Sequence, residues 1–217
     1  MPDVPVGGRA LRTQVPDGIF TLAVELDDSQ AAAEHAAFAD RCQPLLLRVA
    51  DDDAARADRM RADVIGQLGA LRQTVAASGL GYLGALAGEH DRRPALIVLG
   101  IAAIPLEFTD GIDAASLLAA LLRSRYPGAA VEEFPTARGA GAGVRRCEEI
   151  ILPPAAPGGG VLTVTTGISQ ALVPFPDAGL LGAVTGFCFT PADIDLATVF
   201  TATIAHHMSV VPISPGR

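Results

Sequence analysis

Apolar and polar residues first alternate at Phe20, Leu22, Val24 and Leu26, the period of two that marks a strand with one buried side. Asp27, Asp28 and Ser29 then offer a helix start. The Ala-rich stretch after them, with Ala33, Ala37, Phe38 and Cys42 on one face, predicts a helix that Pro44 ends or kinks. A clearer helix opens at Asp51, Asp52 and Asp53 and runs to Ser78 and Gly79. Met60, Val64, Leu68, Leu71 and Val75 form its continuous apolar stripe, and the aspartates read as its cap.

Beyond Gly79 the pattern changes to paired strands. The stretch GLGYLGALAGEHDRRPALIVLGIAAIPLEF predicts two strands with a turn over residues 89–92, the second apolar on both sides as a central strand should be. Asp113 caps a short helix with Leu117, Leu118, Leu121 and Leu122 on one face, and Tyr126, Pro127 and Gly128 stop it. Strands are expected over 129–135 and 144–152 around the turn RGAGAG, followed by a Pro/Gly loop over 153–160. Leu162, Val164, Ile168 and Leu172 mark another strand, PFPDAG a turn, and residues 180–189 the strand that returns. Thr190, Pro191, Ala192 and Asp193 start a last helix with Leu196, Val199, Phe200, Thr203, Ile204 and His207 along one face.

Runs of strands joined by short turns pair antiparallel. The expected fold is therefore α+β: a twisted antiparallel sheet of about six or seven strands with helices packed on its faces. The chain divides into a flexible N-terminal arm over 1–17, a single α+β domain over 18–210 and a C-terminal tail over 211–217.

Composition narrows the chemistry more than the fold. Among 217 residues there is no Lys, no Asn and no Trp, and every one of the sixteen basic residues is Arg. That removes phosphate loops and Schiff-base chemistry that depend on lysine. A formal net charge of −8 opposes binding to nucleic acid. The longest apolar run, from Pro94 to Leu106, is too short to span a membrane, and the first residues lack the apolar core of a signal peptide. Three scattered cysteines, Cys42, Cys147 and Cys188, form no disulfide framework and point to a reducing cytoplasm.

Several constellations invite a catalytic reading. GISQA over 167–171 is one residue away from a nucleophile elbow. Ser169 is followed by Asp193 or Asp195 and by His206 or His207, the acid and base order of α/β-hydrolases. Ser169, however, sits inside an alternating strand rather than a sharp strand-to-helix turn, so the expectation is a strand serine on the less buried face. His206 and His207 beside Cys188 suggest a metal, but adjacent helical residues diverge by about 100° and structural zinc needs four ligands. Helix-end histidines meeting the C-terminal dipole are the simpler reading. Cys188 and Cys42 read as small core residues; Cys147 has two arginines before it and two glutamates after it. Glu132–Glu133 and Glu148–Glu149 each place one glutamate on either side of a strand; if 129–135 and 144–152 pair as a hairpin, Arg145 or Arg146 sits across from Glu132 or Glu133 in exposed cross-strand ion pairs. The glycines of RGAGAG and GGG separate strands, which is not the setting of a dinucleotide fingerprint.

The element order and four stretches resemble a group of high-GC actinobacterial proteins associated with the Mog1/PsbP-like fold. These are DDDAARADRM with the hairpin after it, SLLAALLRSRYPGAAVEEFP, GVRRCEEIILPP, and VPFPDAGLLGAVTGFCFTPADIDLATVFTATIAHHM. The likeness covers roughly residues 18–210 and implies a sheet with helices on its faces, no transferable catalytic motif, and a role as a binding protein or assembly factor. The expected function is a non-catalytic protein-interaction or assembly module with a protein partner and no cofactor. The alternatives are a small-molecule site between the sheet and the long helix, or a homo-oligomeric structural protein.

Overall fold

The computed structural model describes residues 3–22, 27–77, 80–109, 111–152 and 162–213. The chain is α+β. Its strands are β1 (Asp3–Val6), β2 (Arg9–Arg12), β3 (Phe20–Thr21), β4 (Tyr82–His90), β5 (Arg93–Pro105), β6 (Ala130–Thr136), β7 (Gly139–Leu152), β8 (Leu162–Phe175), β9 (Leu180–Cys188) and β10 (Ser209–Pro212). The helices are α1 (Asp28–Val49), α2 (Ala54–Ala77), α3 (Ala114–Arg125) and α4 (Ile194–His206). Seven strands form one antiparallel sheet in the order β3-β4-β5-β9-β8-β7-β6, and a second sheet has the order β1-β2-β10.

One side of the large sheet is covered by α4 and the small sheet. Ile97, Leu99 and Ile101 of β5 and Val184 of β9 are fully enclosed there with Leu11, Ile204 and Met208. Each such side chain contributes about 2 kcal/mol through the apolar area it removes from water. The opposite side carries two separate packs. Phe38, Cys42 and Leu68 from α1 and α2 meet Leu83, Ala85 and Ala87 of β4, while Leu118, Ala119 and Leu122 of α3 meet Ala142, Val144 and Leu181.

Several elements follow the sequence pattern closely. Asp27 and Asp113 cap α1 and α3 by accepting hydrogen bonds from the backbone N–H groups two and three residues on. Of the acidic triplet, Asp53 caps α2 by accepting from Arg56 N at 3.0 Å. Asp51 and Asp52 instead form the left-handed turn between the helices, with φ of 53° and 61°.

Other elements differ for identifiable reasons. The arm expected over 1–17 contains β1 and β2, whose Val4 and Leu11 are buried in the main core. Residues 211 and 212, read as tail, belong to β10. Val24 and Leu26, Ser78 and Gly79, and the loop over 153–160 lie outside the described residues. Pro44 stays inside α1, which continues for five more residues because Leu46 beyond it packs against the β4 cluster. Its buried face is Ala31, His35, Phe38, Ala39 and Cys42, so Ala33 and Ala37 face outward.

The glycines of RGAGAG are strand rather than turn. The hairpin turns at Ala137 and Arg138, and β7 begins at Gly139. A Cβ at Gly141 would stand 2.8 Å from the Phe134 ring, so glycine there makes room for Phe134 to lie across β7. In α4 the buried face is Ala197, Thr201, Ile204 and Ala205, while Val199 is exposed. Small residues face inward because the helix nearly touches the sheet: a Cβ on Gly186 would meet Thr201 Cγ2 at 2.8 Å.

Candidate functional site

The residues of the hydrolase-like order are dispersed by the fold. Ser169 lies in mid-strand, paired with Arg145 and Gly186 on its two sides. It is buried rather than on the less buried face, because its side of β8 is the side α4 covers. Its hydroxyl is 2.9 Å from that of Thr201, so the two polar groups satisfy each other within the contact. Asp195 accepts from Arg145 Nη1 at 2.8 Å on the surface. His206 and His207 are exposed at the end of α4, stacked edge to face, and His206 Nδ1 lies 3.4 Å from the carbonyl of Pro135.

Asp193 has a different partner from those expected. It is buried in the 3-10 turn Pro191–Asp193 that leads into α4, while Thr190 makes no side-chain cap. Its Oδ1 is 3.0 Å from His90 Nδ1 and 3.6 Å from Arg93 Nη2, both at the β4–β5 hairpin. This pair fixes the start of α4 against the sheet. Sequence reasoning missed His90 because nothing local ties residues about a hundred positions apart.

Ile97, Cys188, Gly167 and Cys147 form one row across four strands. Cys188 is enclosed, donates to the carbonyl of Gly167, and its thiol pKa is raised chiefly by burial. Burial raises that of Cys42 as well. Cys147 is exposed. Two strand spacings, about 9–10 Å, separate Cys147 from Cys188, too far for a disulfide. Among the described residues no three of His, Cys, Asp and Glu gather into a metal-sized group.

The expected ion pairs across the β6–β7 hairpin do not form. Register places Glu132 opposite Gly143, Glu133 opposite Ala142 and Arg145 opposite Ala130. Glu133 instead accepts from Ser116 of α3 at 3.2 Å. Arg146 points to the α3 side, donates from Nε to Glu148 two residues along the same strand, and lays its guanidinium 3.9 Å from the centroid of the Tyr126 ring. Arg125 approaches the same ring at 5.7 Å.

These groups line a cleft of about 620 Å³ at the C-terminal end of α3. Its walls include Arg125, Tyr126, Arg145, Arg146, Cys147 and Glu148. It forms where β6 stops: Arg145 is the last β7 residue that β6 pairs, and β7 runs on to Leu152. The doublet of arginines was visible in the sequence, but the aromatic ring beneath Arg146 was not, because Tyr126 read only as part of a helix stop.

At the other end of the same helical pack, apolar side chains reach solvent. Five of the eight large hydrophobic residues exposed among the described residues fall in one stretch: Ile104, Leu106, Ile112, Leu117 and Leu121. The face expected to join Leu117, Leu118, Leu121 and Leu122 is split, with Leu118 and Leu122 buried and the other two outward. Ile104 stands directly opposite Leu181, which packs beneath α3, so the exposed strand residue and the helix share a neighbourhood.

No family model, curated protein or solved structure matches the chain.

Proposed function

We propose that this chain is a non-catalytic protein-interaction or assembly module of the cytoplasm, docking a protein partner through the outer side of α3 and the end of β5. The observation that carries the reading is the run of exposed Ile104, Leu106, Ile112, Leu117 and Leu121 along the segment that leads from β5 into α3. Isolated surface apolar residues are ordinary, whereas a cluster marks a surface that another surface covers. The dispersal of Ser169, Asp193, Asp195, His206 and His207 supports a non-catalytic role, and the resemblance to Mog1/PsbP-like binding proteins points the same way. Free cysteines accord with a reducing compartment, and the charge of −8 disfavours nucleic acid as the partner.

Leu117→Asp combined with Leu121→Asp tests the docking face. Both side chains already point outward, so the variant keeps its fold and loses the partner that wild-type protein captures by cross-linking in native lysate. Equal capture by wild type and variant overturns the proposal. Sedimentation of the purified protein separates the remaining reading: self-association abolished by the same pair of substitutions makes the partner a second copy of the chain.

A further inference from the structure

We propose that the cleft between the C-terminal end of α3 and β7 is a binding site for an oxyanion, a phosphate or carboxylate group carried by a small molecule. Its lining includes three arginines, Arg125, Arg145 and Arg146, and one acidic residue, Glu148; Arg145 and Arg146 reach it from opposite faces of β7. Asp195 neutralises Arg145 from outside the cleft at 2.8 Å, and Glu148 takes the Nε of Arg146. Arg125 has no ion pair among the described residues. The lining therefore keeps an excess of positive charge on a chain whose formal net charge is −8. Such an inversion concentrates anions locally.

Arg146 is also prepared for an acceptor. Its side chain is mostly enclosed, and its Nη1, itself shielded from solvent, has no hydrogen-bond partner among the described residues. A buried donor left unmatched is costly, and a charged one more so. Stacking on Tyr126 and the bond to Glu148 hold the guanidinium plane in place, so little side-chain freedom is lost when an oxyanion engages it. Arginine presents parallel N–H groups that match the oxygen spacing of phosphate and carboxylate. The volume, about 620 Å³, lies within the range of small-molecule sites. This site shares no residue with the apolar face of α3, so either proposal can fail without the other.

Cys147 is a built-in reporter, since it lines the cleft and is the exposed cysteine of the three. Its alkylation by iodoacetamide is followed while inorganic phosphate, or in a parallel arm citrate, replaces chloride at constant ionic strength. Occupancy slows the reaction saturably, by about tenfold when the anion stands near ten times its dissociation constant. Arg125→Gln with Arg146→Gln abolishes the protection, whereas Arg138→Gln, in a different cleft, preserves it. Should the double variant not fold, the single Arg125→Gln, on the exposed end of α3, weakens the protection. Protection by phosphate alone or citrate alone supports the site and identifies its chemistry. No saturable protection by either anion, or equal protection in the arginine variants, overturns it.

Discussion

The carboxylate of Asp193 and the imidazole of His90 meet at 3.0 Å, joining the entrance of α4 to the far end of the β4–β5 hairpin. Asp193 is buried while His90 and Arg93 are partly exposed, so the cost of losing the contact falls on those two side chains only in part. Asp193→Ala is expected to lower unfolding free energy by about 1–3 kcal/mol in urea titration. Asp195→Ala removes an exposed pair and should cost under about 1 kcal/mol. Equal effects of the two substitutions would refute the assignment of Asp193 as the tie.

The approach of α4 to the sheet depends on Gly186. Gly186→Ala puts a methyl 2.8 Å from Thr201 Cγ2 and 3.3 Å from the Ala197 carbonyl, so the helix must move outward. The expected loss is about 1–3 kcal/mol by thermal or chemical unfolding. Gly88→Ala, where nothing among the described residues lies within 4 Å of the new methyl, is expected to be neutral or to stabilise by about 0.5–1 kcal/mol.

Acid stability should reflect the caps. Asp113 is held below its ordinary value of 3.8, first by the Ser116 side chain and then by the N–H groups of Ala115 and Ser116. Asp27 is lowered chiefly by Ser29, and Asp3 chiefly by Arg12. A group whose folded pKa is depressed stabilises fully above its unfolded value, and the contribution fades as pH falls through the folded one. Asp113→Ala should therefore lower Tm by a constant amount above about pH 4, with the difference from wild type vanishing in stronger acid. A difference that persists undiminished there would exclude the carboxylate as its source.

Thiol accessibility gives a count. With Cys42 and Cys188 enclosed and their thiols pushed up by burial, a disulfide reagent at neutral pH should react rapidly with Cys147 alone in native protein. All three should react after unfolding in guanidinium. Cys147→Ser should abolish the fast phase.

The fold was readable where local chemistry decides conformation. Asp27 and Asp113 signal helix starts, and the hairpin between Glu89 and Arg92 follows from two apolar runs flanking a charged turn. It escaped reading where distant packing decides. Four-residue strands such as Asp3–Val6 carry too short a pattern to stand out, and they form because Leu11 reaches the main core. Gly139, Gly141 and Gly143 read as a turn by composition, yet all three lie in β7, and Gly141 makes space for Phe134. On the inward face of α4, Ala197 and Thr201 lie against Gly186, a close approach that no local pattern in the sequence marks. For the cleft, Arg145 and Arg146 stood out as a doublet, but only the fold places Tyr126 beneath Arg146.

The hydroxyl of Thr13 donates to the carbonyl of Ile204 across 191 positions of chain, beside the pairing of β2 with β10. Such a seam closes one of the longest loops the polypeptide can make, and closure entropy grows with loop length. The helices and the hairpins of the large sheet can assemble from near neighbours, but the small sheet waits for segments from both extremes to coexist. Its closure is thus a fastening with a larger entropic cost than any hairpin of the large sheet. Because Leu11 is enclosed in the same core as Ile204 and Met208, the central packing stays incomplete until that fastening is done.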